Sequence, residues 1–268
     1  MSILLAAGSL WVALMLCGLG NTVGYHRLLT HRAFKTGRGV RAVLTVLGAL
    51  TGGSPVVWVG LHRFHHLKSD DEGDPHSPID GVLWAHCGWL LGSRNPALCA
   101  LYALSGFGQQ ASVVVHDVRR ILGTNPPTWR KLCKDLMQEP LMRVLDTPGV
   151  MPLLFVAQLA AAWAAGGWWG IAWLWAVHVF ITNTSWAVNS ICHLPSIGSQ
   201  PFDTGDDSRD VPWLAALTNG ESYHNGHHRY PRSARHALDG GLDLSWWTIR
   251  GLERLGLASD VWLPKKYR

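Results

Sequence analysis

Three histidines near the C-terminal end, His224, His227 and His228, have the spacing i, i+3, i+4. On a helix these positions lie at about 0°, 300° and 400° around the axis, so the three imidazoles share one face. The same spacing recurs far upstream in His62, His65 and His66. Neutral imidazole is a common ligand and suits iron, copper, nickel and zinc. Two identical clusters, remote in sequence, point to one metal site gripped from two sides. His26 and His31 form a third group. A spacing of five leaves them about 140° apart on a regular helix, so this pair needs a fraying helix end. A fourth group is Asn189 with His193, one helical turn apart. Asn189 could reach a metal directly or through a water.

His26, His31, His62, His65, His66, His193, His224, His227 and His228 exceed what one ion can hold, since zinc takes four ligands and octahedral metals six. Two ions with positions left open for substrate or oxygen fit better. The chain has four Glu, and Glu221-Ser222-Tyr223-His224 is its one Glu-x-x-His, which excludes the glutamate-bridged sites of soluble bundles. No His-Glu-x-x-His protease motif, glycine-rich phosphate loop or Ser–His–Asp arrangement stands out. The five cysteines (Cys17, Cys87, Cys99, Cys133, Cys192) form no CxxC pair, hence no disulfide framework and no thiolate site. His76, His86, His116 and His236 read as surface groups or as supports for the ligands. His178, inside an apolar stretch, reads as a hydrogen-bonded packing residue.

The elements that must position these groups are apolar. Charged residues make up 15% of the chain, against about 25% in ordinary soluble proteins, and there are 15 Trp. Residues 1–20 carry no Asp, Glu, Lys, Arg or His, and their length suits one bilayer crossing. The missing basic n-region argues against a signal peptide. Arg27, Arg32, Lys35, Arg38 and Arg41 follow, which places that segment in the cytoplasm. From Thr147 to Phe202 there is no Asp, Glu, Lys or Arg. Gly166-Gly167 divides this stretch into two spans, with Trp168 and Trp169 as interface anchors. Residues 42–61 are apolar too, but a crossing there would put His62 and His26 on opposite faces. The Gly52-Gly53-Ser54-Pro55 break instead suits a buried or re-entrant segment.

Residues 84–115 read as interfacial, 117–143 as an amphipathic helix, and Val211–Leu217 as a short apolar helix. The Asp-rich loop from Lys68 to Ile79 is expected to supply carboxylates that support the histidines. A net charge of +5 suits anionic headgroups, phosphorylated acyl carriers or an acidic redox partner. No nucleic-acid partner is expected. The expected fold is all-α and integral to the membrane, one domain over 1–268. Its spans are about 2–20, 148–166 and 167–188, with a cytosolic His-rich helical cap (21–146 and 189–268) holding a dimetal site.

These motifs resemble the membrane fatty acid desaturases, specifically the Δ9 acyl-CoA and acyl-lipid desaturases. The three boxes are His26-x4-His31, His62-x2-His65-His66 and His224-x2-His227-His228. Further matches are Trp58-Val59-Gly60-Leu61, Asp74-Pro75-His76, His86-Cys87-Gly88-Trp89 and Asn189-Ser190-Ile191-Cys192-His193. Ser233-Ala234-Arg235-His236 looks most like the bacterial and cyanobacterial branch. The similarity runs from about Gly18 to Trp262 and is weakest over 95–130.

The resemblance implies a mushroom-shaped helical fold with two irons in the cap, held by the nine histidines, with Asn189 acting through water. It implies O2-dependent insertion of a cis double bond, at Δ9, into a saturated acyl chain on CoA or a lipid. It also implies a multi-pass protein of the inner cell membrane with its site facing the cytoplasm. Electrons would come from a separate ferredoxin-, rubredoxin- or cytochrome b5-like carrier, since the chain has no flavin, haem or iron–sulfur motif. The other readings are a fatty acyl hydroxylase or oxygenase on the same scaffold, and a non-catalytic membrane metal-binding protein. Where the family usually has two spans before the first box, this chain has one, and Ser222 stands where a glycine is common.

Overall fold

A computed structural model describes residues 18–122 and 128–268, preceded by Gly8, Ser9, Val12 and Leu16. The expected first span, 2–20, lies mostly outside these residues. The helices in chain order are α1 (Leu19–Thr30), α2 (Arg38–Gly52), α3 (Pro55–Lys68), α4 (Pro96–Leu104), α5 (Gly108–Ile121), α6 (Pro140–Leu145), α7 (Val150–Ile191), α8 (His224–Arg229) and α9 (Leu244–Arg254). Two short strands, β1 (Lys35–Thr36) and β2 (Ala258–Ser259), pair antiparallel with Lys35 opposite Ser259. They fasten the segment after α1 to the segment after α9.

At the centre lies α1, which is a π-helix with hydrogen bonds running i to i+5. Its residues from Val23 to Thr30 are all buried, and Val23, Tyr25, Leu28 and Leu29 join Leu44 of α2, Val56 and Val59 of α3 and Ile249 of α9 in the main apolar core. Glycines let α1 and α2 approach closely: a Cβ on Gly20 would fall 2.2 Å from the Gly48 nitrogen. Tyr25 donates to the Gly53 carbonyl at 2.8 Å, at the point where α2 gives way to α3.

That junction is sharp. The axes of α2 and α3 are bent by 81° across Gly53-Ser54. Gly53 has φ +73°, which favours glycine, and Pro55 starts α3 with Ser54 as its N-cap. The bend carries His62, midway along α3, to His31, just past the end of α1.

The long α7 is two helices joined at Gly166 and Gly167, and the positive φ of Gly167 (+54°) turns the chain. The arms run antiparallel: Gly170 packs on the Ala162 carbonyl, and His178 meets Gln158 at 3.3 Å. His178 is therefore the buried packing residue expected of it. Among the described residues α7 is the one helix long and apolar enough by itself to cross a membrane; α2 and α3 pass the same test only as a bent pair. Only 6% of the most apolar stretch of α7 is buried, so its apolar surface faces outward rather than into a protein core.

Two expected elements differ, and a third is divided. Residues 117–143 are not one amphipathic helix: α5 ends at Ile121, 3₁₀ turns follow at Thr128–Cys133 and Leu136–Gln138, and Pro140 opens α6. Pro140, at the first position of α6, cannot continue a preceding helix. Residues 84–115 divide at Asn95, whose side chain caps α4, and again after Leu104. Val211–Leu217 contains only a 3₁₀ turn, Pro212–Leu214, before a run of tight turns that passes the positive-φ Gly220 and ends at Ser222.

Candidate metal centre

All nine histidines meet, and they meet as two clusters. His26, His31, His62, His66 and His227 form one; His65, His193, His224 and His228 form the other. Within each, one ring nitrogen per residue lies within 4.8 Å of all the others. In the five-histidine cluster the Nε2 atoms of His26 and His227 are 3.1 Å apart, those of His31 and His62 3.1 Å, and those of His66 and His227 2.9 Å. In the four-histidine cluster His224 Nε2 lies 3.0 Å from both His193 and His228 Nε2.

The pairing of His26 with His31 has a specific cause. On a regular helix residues five apart diverge, but the i to i+5 pitch of α1 brings them together, and the His31 N–H donates to the His26 carbonyl at 3.1 Å. A fraying end is not needed; the whole element is rewound.

Carboxylates fix several ring orientations. His65 Nδ1 donates to Asp74 at 3.0 Å, His193 Nδ1 to Asp70 at 2.8 Å and His228 Nδ1 to Asp206 at 2.6 Å. His26 Nδ1 donates to Glu221. An Nδ1–H held by a carboxylate leaves Nε2 as a bare lone pair, and these lone pairs converge. Of the convergent ring nitrogens, His65 Nε2 is buried with no protein partner. Convergent imidazole lone pairs are a donor set that fits cations and little else.

The electrostatics agree. Burial, reinforced by neighbouring imidazoles, pushes His31, His62, His66, His224 and His227 well below the usual histidine range. His228 is lowered to about 4, burial outweighing its bond to Asp206. These rings are neutral ligands at physiological pH. For Asp74 and Asp206 burial works upward, but the bonds from His65 and His228 prevail and hold both below the usual carboxylate range. For Glu221 the charge of Arg27, with the neighbouring His236, likewise overcomes burial.

The clusters open on space. A cavity of about 650 Å³ has Trp58, His62, Trp89, Tyr102, Met151 and Asn189 in its wall. A smaller one, about 80 Å³, joins His62, Asn189 and His224. Asn189 thus faces the same space as a member of each cluster.

The sequence model of the fatty acid desaturase family matches residues 3–250. This chain belongs to the fatty acid desaturase family. It is 35% identical over 252 residues to an sn-1 stearoyl-lipid 9-desaturase of Anabaena variabilis, covering 93% of this chain and 80% of that one. It is 36% identical over 264 residues to an acyl-CoA 5-desaturase of Anemone leveillei, covering 96% and 72%. With a palmitoyl-monogalactosyldiacylglycerol delta-7 desaturase of Arabidopsis thaliana the identity is 34% over 251 residues, or 92% of this chain and 59% of that one. The protein is accordingly an enzyme, an oxidoreductase that desaturates fatty acyl chains.

Several supports of this desaturase centre were not legible. The Asp-rich loop does supply Asp70 and Asp74, as expected. Nothing in the spacing marks Asp206 or Glu221 as a support, although Glu221 lies three residues before His224. His76 and His236 are buried at 4% and 1% exposure, so neither is a surface group. His236 Nδ1 lies 3.2 Å from Glu221, and its ring centroid is 4.5 Å from that of His227. The half-buried His86 bonds Ser190 and Asn183, while His116 stacks on Trp129. Arg27, wholly buried, donates to Glu221 (3.0 Å), Asp243 (2.9 Å) and the Ala234 carbonyl (2.7 Å), and so ties α1 to the C-terminal segment. A basic residue beside a histidine box carries no mark in sequence that it will be buried.

Proposed function

We propose that the nine histidines hold two iron ions, with Asn189 contributing through a water, and that the enzyme inserts a cis double bond into a saturated acyl chain bound in the 650 Å³ cavity. The observation that carries this reading is the meeting of two all-imidazole clusters beside that space, with His62 in its wall and His224 on the smaller cavity that shares His62 and Asn189. Bound iron supplies the activation of O2 and the removal of two hydrogens from neighbouring methylenes. The balance requires two electrons from the acyl chain and two from a separate carrier, with two protons, to reduce O2 to two waters. The chain's own part is to position and to exclude. Trp58, Trp89, Met151 and Tyr102 give the acyl chain an apolar wall, and the carboxylates keep the imidazoles aimed inward. Δ9 selectivity, on CoA or a glycerolipid, is supported by the names of several relatives, which also include Δ7 and Δ5 enzymes.

The same reading covers topology. The outward apolar arms of α7 cross the inner membrane as a hairpin (148–166 and 167–188), 2–20 forms a further span, and the bent α2–α3 pair lies re-entrant over 42–61. The cap, 21–146 and 189–268, faces the cytoplasm and receives a ferredoxin-, rubredoxin- or cytochrome b5-like donor. Arg27, Arg32, Lys35, Arg38 and Arg41, just after the first span, support that orientation.

Expression in a host without desaturases, followed by mass spectrometry that locates the new double bond, tests the activity. His227→Ala should abolish the unsaturated product while the protein still accumulates in the membrane. Full product from that variant would sink the two-iron reading, and a hydroxylated product from the native chain would reassign the reaction.

A further inference from the structure

The two clusters differ in what surrounds them. Three of the four rings in the four-histidine cluster are held by their own carboxylate: His65 by Asp74, His193 by Asp70 and His228 by Asp206. The other partners of these carboxylates are neutral or nearly so. Asp70 accepts from Ser77 Oγ and the Asp207 N–H, Asp206 from Thr204 and Ser208, and Asp74 from the Asp70 and His76 N–H groups, with His76 Nδ1 at 3.9 Å. Of the cations nearby in the chain, Arg209 lies beside Asp207 and Arg229 over Tyr230, and among the described residues no ion pair joins these carboxylates to them or to Lys68.

In the five-histidine cluster, among the described residues, His26 alone meets a carboxylate. That carboxylate, Glu221, is already neutralised by Arg27, which Asp243 also engages. Arg63, next to His62, and Arg32, next to His31, share the single Asp135. Three guanidinium groups thus stand among three carboxylates around this cluster, whereas three carboxylates surround the other with no guanidinium bonded to them.

We infer that the two metal positions are unequal: the four-histidine cluster takes up its ion first and gives it up last. Uncompensated anions just outside the ligands lower the energy of a dication there, and they also fix the rings before the metal arrives. A fifth imidazole adds a ligand to the other position, but it is a neutral one, and four of the five rings lack a carboxylate to orient them. The inference rests on the two-iron reading and sharpens it.

The test is equilibrium dialysis of the full-length, metal-stripped protein in detergent against graded Fe2+ without oxygen, with bound iron counted by mass spectrometry. Two uptake phases are expected, separated by about ten- to a hundredfold in concentration, the effect typical of losing outer-shell support. Asp206→Asn should move the tight phase toward the weak one. His224→Ala should remove the tight phase and leave the weak one, and His62→Ala should do the reverse. Helical circular dichroism of each variant establishes that it folds, and the two phases of the native protein need no variant at all. Two equivalents bound with one affinity, or loss of the tight phase in His62→Ala, overturn the inference while leaving the two-iron reading intact. A total of one iron or none overturns both.

Discussion

The two His-x-x-His-His boxes have the same spelling and opposite allegiances. In α3, His62 and His66 point to the five-histidine cluster and His65 crosses to the other. In α8, His224 and His228 serve the four-histidine cluster and it is His227 that crosses. Each helix grips one position with its i, i+4 pair and lends its i+3 residue to the other. One helical face therefore does not mean one ion, and the boxes interlock. Their scaffolds differ as well. α3 is a 14-residue helix, capped by Ser54 and begun by Pro55. α8 has six residues, too few to persist by itself, so its position is set by neighbours. Between the histidines, α3 has Arg63 and Phe64 where α8 has Asn225 and Gly226.

The largest effect expected from that contrast is at Asn225, which is wholly buried. Its side chain accepts from the Phe202 N–H at 2.8 Å and donates to the Phe202 carbonyl at 3.0 Å, locking α8 to the 202–208 loop that carries Asp206. Asn225→Ala strands both backbone groups, at about 1–3 kcal/mol each, so a loss of about 2–6 kcal/mol is expected. Because α8 feeds both clusters, thermal unfolding should fall together with the content of both irons. Unchanged iron would mean that α8 holds itself, and the contrast with α3 would collapse. Gly226→Ala comes next. Its Cβ would stand 2.9 Å from the His236 carbonyl, a backbone atom that cannot step aside, at about 1–3 kcal/mol measured by the same unfolding. Ser54→Ala should cost about 1 kcal/mol. It removes a cap and a 2.9 Å bond to Asp146, but Asp146 keeps Arg130 at 2.6 Å and α3 keeps its length. A larger loss at Ser54 than at Gly226 would reverse the ranking of the two scaffolds.

What could be read in advance follows the same division. The spacing of His62, His65 and His66 on a long helix was legible, as were the Gly166-Gly167 hairpin and the break before Pro55, because each depends on local chain preference. The partition of nine histidines into five and four was not, since it depends on which way each ring turns after folding. Nor was the π-helical winding of α1, which reconciles a spacing of five with a common site. Leu19–Thr30 mixes apolar, polar and basic residues with nothing that marks this winding. Buried polar supports were the hardest: Arg27, Asp206, Glu221 and His236 have the letters of surface residues, and only their packed partners make them part of the centre.

The smallest effect has the opposite sign. Asp210 accepts the Gly226 N–H at 3.0 Å, and burial raises its carboxyl to about 6, against the pull of the N–H bonds from Gly226 and Asn225. An unfolded aspartate titrates near 3.9. The folded state therefore binds this proton more tightly than the unfolded state does. The stabilisation it brings is complete below about pH 4 and is lost as pH rises through about 6. At neutral pH the native protein carries a charge in a site that disfavours it; because Asp210 is only partly buried, the penalty is about 1 kcal/mol rather than the full value of such a shift. Asp210→Asn keeps an acceptor for Gly226 and removes the charge. It should match the native protein in thermal unfolding at the acid end of this window and exceed it by about 1 kcal/mol at pH 7.5. If the variant is instead weaker at pH 7.5, the negative charge is itself what seats the six residues of α8, and the neighbours that position this box act through electrostatics as much as through packing.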